Sequence, residues 1–138
     1  MSWDIYIIKF DGEPSSEALE AEGFKPLPMG TAEDVRECIS SQWPQTDWDD
    51  PEWGSYEADG YSIEFNLGSG IIDGLMLHIR GSGNPIPSVV RLCQQNSWTA
   101  IDGDTFLDEV SDKSWQEWQR FRDQVAEGIQ DHNHPGDY

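Results

Sequence analysis

The chain has 138 residues, 27 of them acidic and 8 basic, for a formal net charge of −19. Nucleic-acid phosphates and anionic membranes are bound through Lys and Arg with counterion release, so this balance argues against both as partners. Seven Trp, five Phe and four Tyr argue equally against disorder, because a chain too polar to fold has few such side chains.

The length fits one domain with its own core over residues 1 to 130, followed by a flexible tail at 131 to 138. Met1 leads directly into an alternating strand pattern with no signal-peptide or membrane-span signature, and a cytoplasmic location is expected. Acidic residues outnumber basic ones along the whole chain, not only in a tail. That distribution fits a solubility or salt adaptation, or complementarity to a basic protein.

In chain order, residues 2 to 10 are β-branched and aromatic on both faces, which predicts a strand covered at least partly on both sides. Asp11 to Pro28 reads as loop with a short helical turn at Ser16 to Ala21. Thr31 opens a helix as N-cap, with Asp34 completing a capping box; Val35, Cys38, Ile39 and Trp43 recur at helical spacing, and Pro44 ends the element.

From Trp43 to Tyr61, three tryptophans (Trp43, Trp48, Trp53) and two tyrosines (Tyr56, Tyr61) stand among Asp47, Asp49, Asp50, Glu52, Glu57 and Asp59, with no basic residue. Pro44, Pro51 and Gly54 mark this segment as a loop. Two readings compete for it. Its tryptophans pin a long loop to the domain and leave the acids as a solvated rim, or they form the hot spot of a surface that docks a cationic partner. Gly54 to Ala58 adds a strand through a turn at Asp59-Gly60.

Tyr61, Ile63, Phe65 and Leu67 then alternate with polar residues, Gly68-Ser69-Gly70 turns the chain, and Ile72 to Arg80 is a second strand. Setting Phe65 opposite Leu77 puts Glu64 opposite His78 and gives a three-stranded antiparallel meander. Gly81 to Pro87 connects to a helix carrying Ile86, Val89, Val90 and Cys93 on one stripe, ending at Asn96. Trp98 to Ile101 and Thr105 to Leu107 read as short strands around an Asp102-Gly103-Asp104 turn. Ser114 and Glu117 form a capping box for a last helix carrying Trp115, Trp118, Phe121, Val125 and Ile129. The result is an α+β domain: an antiparallel or mixed sheet of about four or five strands with about three helices packed mainly on one face.

Candidate sites follow from this frame. Glu64, His78 and Arg80 share one strand face in the hairpin register, with Asp4 or Tyr6 placed to join them. A carboxylate beside an imidazole orients it as a base or as a held cation, although polar strand faces also carry ion pairs with no chemical role. Gly81 and Gly83 lie between strand and helix, where amides can hold an anion, but the Lys and Ser/Thr of a P-loop and the spacing of a dinucleotide fingerprint are missing. Asp47, Asp49, Asp50 and Glu52 lack the glycine and the twelfth-position glutamate of a calcium loop. His132 and His134 have no third ligand. Cys38 and Cys93, on apolar helix faces, read as buried thiols. Neither a metal nor a cofactor is expected.

The runs DDPEWG (Asp49 to Gly54), ADGYSIEFNLG (Ala58 to Gly68) and MLHIRGSG (Met76 to Gly83) resemble a small acidic family of stand-alone bacterial proteins with no assigned activity, over Met29 to Leu107. The resemblance implies no catalytic residues and draws interest to Glu64, His78 and Arg80. In size and acidity the chain also resembles immunity proteins that neutralise toxins, an analogy of type. The leading expectation is a non-enzymatic module that docks a basic partner through Trp48, Trp53, Asp47, Asp49, Asp50, Glu52 and Tyr56. The alternative is a small-ligand protein or enzyme built on Glu64, His78, Arg80, Gly81 and Gly83.

Overall fold

A computed structural model describes residues 3–103, 105–107 and 120 of the chain. Of the expected helix at Ser114 to Ile129 only Arg120, helical and exposed, is described, and the tail with His132 and His134 lies outside the described residues.

The first strand, β1 (Trp3–Ile8), buries Trp3, Ile5 and Ile7 on one side and Ile8 on the other, as its two-faced apolar pattern requires. A short helix, α1 (Ser16–Glu20), follows, capped by the Ser15 hydroxyl accepting from the Ala18 amide at 3.0 Å. After β2 (Gly30–Thr31), Thr31 and Asp34 exchange the two hydrogen bonds of a capping box and start α2 (Ala32–Gln42). The chain continues through β3 (Asp47–Asp50), β4 (Trp53–Ala58), β5 (Tyr61–Asn66), β6 (Ile71–Ile72), β7 (Leu75–Gly81), α3 (Ile86–Asn96), β8 (Thr99–Asp102) and β9 (Thr105–Phe106).

The fold is α+β, but its main sheet is larger than the sequence predicts. It has seven strands in the order β3-β4-β5-β7-β1-β8-β9, each pair antiparallel, and a separate small sheet joins β2 to β6. The strands depart from expectation at two places. The acidic segment after Trp43 is not a loop: residues 47–58 form the β3–β4 hairpin and extend the sheet edge. The stretch expected to be one strand from Ile72 is interrupted, with Ile71 and Ile72 pairing to β2 and β7 starting at Leu75.

The β4-β5-β7 meander and its register agree with expectation, with Phe65 opposite Leu77, Ile63 opposite Ile79 and Glu64 opposite His78. One face of the sheet carries Ile5, Ile7, Ile63, Phe65, Leu77 and Ile79, which pack with Val35 and Ile39 of α2 and Val89 and Leu92 of α3 into the main core. Each such side chain stabilises the fold by roughly 1.5–3 kcal/mol on burial. Among the described residues, the opposite face is covered only at one end, where Ile8, Phe10 and Ile101 meet Ala18, Leu19, Phe24 and Phe106. Two helices thus pack on one face, and α1 shields one end of the other. No helix among the described residues is long and apolar enough to cross a membrane.

Candidate functional site

Strand alternation decides which candidate residues meet. Two antiparallel rows run across the uncovered face. One reads Tyr6, Met76, Asn66, Trp53 and Asp50; the next reads Asp4, His78, Glu64, Ser55 and Asp47. Beyond them, Arg80 lies opposite Ser62, and Ser62 opposite Glu57. The face therefore gathers carboxylates from four strands around one histidine and one arginine.

The contacts within it are specific. His78 Nδ1 lies 2.8 Å from Asp4 Oδ1. A carboxylate only accepts, so Nδ1 carries the proton of this bond. The indole of Trp53 stacks on the imidazole with ring centroids 5.5 Å apart and planes 14° from parallel. Arg80 donates to Glu64 Oε1 at 3.1 Å, an exposed pair that contributes little to stability. Glu64 thus faces His78 across the strands as predicted, yet its ion-pair partner is Arg80, and Asp4 takes the imidazole. Trp53 is 36% exposed and Tyr6 40% exposed, the two large aromatic surfaces that this face offers to solvent.

The aromatic residues of the acidic segment are divided between the two faces. Trp43 is buried in the core against Phe65, with ring centroids 5.3 Å apart. Trp48 is half-buried over Phe65, and its indole N–H donates to Ser40 Oγ at 3.0 Å. It lies so close over Gly54 that a Cβ there would come within 2.5 Å of the indole ring. Tyr56 is half-buried beside Trp43 and Tyr61. Trp48 and Tyr56 therefore serve the fold, and of the two expected anchors only Trp53 reaches the uncovered face. Asp47 and Asp50 face it by register, while Asp49 and Glu52 are exposed near the hairpin turn and accept no cation among the described residues. Asp47 and Asp50 also fix that turn by accepting from the amides of Asp49 and Glu52 at 2.8 and 3.0 Å.

The glycine loop does not present an anion nest. The amides of Ser82 and Gly83 both donate to Gly60 O at 2.7 Å, and Asn84 Oδ1 accepts from the Ile86 amide at 3.0 Å. Gly81 has φ +111°, and a Cβ on it would collide with the Gly60 carbonyl. These glycines permit a close backbone crossing. A shallow hollow of about 320 Å³ lies beside it, lined in part by Glu57, Ser62 and Arg80.

Both thiols are free. Burial pushes Cys93 up to about 12, and burial followed by the nearby Asp34 and Glu37 raises Cys38, whose Sγ lies 3.2 Å from Asn96 Oδ1. Neither is a thiolate nucleophile near neutral pH.

Asp4 and Tyr6 were within reach of the sequence, since they flank the paired strands in the same alternation. The Trp53–His78 stack joins the two sites that sequence reading kept apart. Counting back from the Asp59-Gly60 turn puts Trp53 opposite Asn66, one row from His78. Comparison with family models, curated proteins and solved structures finds no match for the chain, so the resemblance read from its sequence is neither confirmed nor refuted.

Proposed function

We propose that this chain is a non-enzymatic binding module that docks a basic protein partner on the uncovered face of its sheet, in the manner of an immunity protein. The observation that carries the reading is the composition of that face: two exposed aromatic side chains, Trp53 and Tyr6, lie among Asp4, Asp47, Asp50, Glu57 and Glu64 on a rigid sheet. The wider molecule, at −19, steers a cationic partner toward it. Large, stiff aromatics ringed by polar groups are the usual hot-spot chemistry, and a rigid face loses little entropy on docking.

The module is tested with tagged protein in its native lysate at low salt, followed by graded salt elution. The wild type should retain a basic protein that leaves at moderate salt. The Trp53→Ala variant should lose that protein, with affinity lower by about 2 kcal/mol or more. Retention of the same protein at equal affinity by Trp53→Ala and by a variant with Asp47, Asp50 and Glu57 neutralised would contradict the reading.

The Asp4–His78 pair favours a second reading, in which the face holds a small ligand through an oriented imidazole. A ligand screen by thermal shift tests it: a stabilising hit should lose its effect in His78→Ala.

A further inference from the structure

Next to the Asp4–His78 pair, the uncovered face is not flat. Among the described residues, a groove of about 380 Å³ opens there, lined by Asp4, Tyr6, Leu19, Met76, Ile101 and Gly103. It exists because α1 covers only one end of the face: Leu19 belongs to the small cluster with Ile8 and Ile101 and forms the outer wall, while β1 and β7 supply the floor. The Tyr6 hydroxyl lies close over Gly74, where any Cβ would collide with it. The volume sits at the low end of the roughly 300–1,000 Å³ of ligand pockets, a size for one side chain or a small molecule.

The lining is chemically divided. Leu19, Met76 and Ile101 offer apolar walls, Tyr6 offers an aromatic ring, and the charge comes from a single carboxylate, Asp4. Lys and Arg match this pattern: each carries an apolar stem that prefers hydrocarbon surface and a cation that prefers a carboxylate and the face of an aromatic ring. A carboxylate ligand would be repelled by Asp4 and by the net charge of −19.

We propose that this groove seats one lysine or arginine side chain of the basic partner, the stem against Met76, Leu19 and Ile101 and the cation beside Asp4 and the Tyr6 ring. The inference rests on the binding function proposed above and adds where, and by which side chain, the partner is read. Trp53 lies across the face from this groove, so the partner spans both, with an aromatic contact at one end and a cation at the other.

Deca-arginine and deca-lysine serve as probes, titrated into the full chain at physiological ionic strength with amide NMR shifts and a dissociation constant as readouts. Shifts should centre on Tyr6, Met76 and Gly103, and a tighter deca-arginine complex would mark a guanidinium seat. Met76→Lys, which places a cationic stem in the groove, should weaken binding about tenfold or more, whereas Glu33→Lys, a larger charge change at an exposed position of α2 on the covered side of the sheet, should weaken it by no more than about threefold. Thermal melting of both variants confirms that they fold. Binding that is weakened no more by Met76→Lys than by Glu33→Lys, with shifts centred on β3 and β4, would overturn the groove and leave the binding function standing. Failure of both peptides to bind the wild type, together with no basic protein held from lysate, would overturn both.

Discussion

Trp48 and Trp53 are five positions apart in one acidic run, yet their roles diverge because strand geometry sends their side chains to opposite faces. Trp48→Ala should destabilise the fold by about 2–4 kcal/mol, since a half-buried indole with a hydrogen bond to Ser40 would leave a cavity over Phe65. Trp53→Ala, on the uncovered face, should change stability by less than about 1 kcal/mol while reducing binding. Urea denaturation of the two variants checks the contrast. Gly54→Ala should cost about 1–3 kcal/mol by the same measurement, because its Cβ would come within 2.5 Å of the Trp48 ring, which the Ser40 bond restrains. The buried Cys93 thiol gives a pH signature. Its folded value of about 12 lies above the ordinary 9.0, so its stabilising contribution is complete below 9.0 and is lost as pH rises from there toward 12. The stability of the wild type should therefore fall more steeply above pH 9 than that of Cys93→Ala, by up to ~1.4 kcal/mol per pH unit.

Among elements, α2 tests how much a local signal contributes. Thr31 and Asp34 form the reciprocal capping pair that their spacing predicts, and Thr31→Ala should cost about 1 kcal/mol in chemical denaturation. Signals of this kind made α2, α3, β1 and the β4-β5-β7 meander legible: capping residues, helical or alternating spacing and the Asp59-Gly60 turn each act over a few residues. The hairpin register was legible for the same reason, because fixing Phe65 opposite Leu77 places every other pair, including Glu64 opposite His78. What was not legible depended on long-range pairing. Asp47–Asp50 has the composition of a loop and becomes β3 only because β4 offers it an edge, with an irregular register between Asp47 and Asp50. Ile71 and Ile72 look continuous with β7, yet they leave it to pair with Gly30 and Thr31 from a distant part of the chain. The candidate site followed the same division. Glu64 and His78 could be set across from each other, but the choice of Asp4 over Glu64 as the imidazole's partner depends on β1 lying beside β7, a tertiary fact.

At the scale of the whole molecule, the central feature among the described residues is an acidic sheet face left open beside a well-covered one. The helices α2 and α3 close one side, α1 closes an end of the other, and the remaining surface holds the aromatic and acidic residues that the account assigns to binding. Hydroxyl-radical footprinting of the chain alone and in complex with the basic protein retained from lysate measures this directly, because Trp, Tyr and Met are among the side chains it labels. The account predicts that Trp53, Tyr6 and Met76 lose reactivity in the complex while Trp48 and Tyr56 do not change. Protection confined to side chains away from this face, with Trp53 and Tyr6 labelled as strongly as in the free protein, would contradict it.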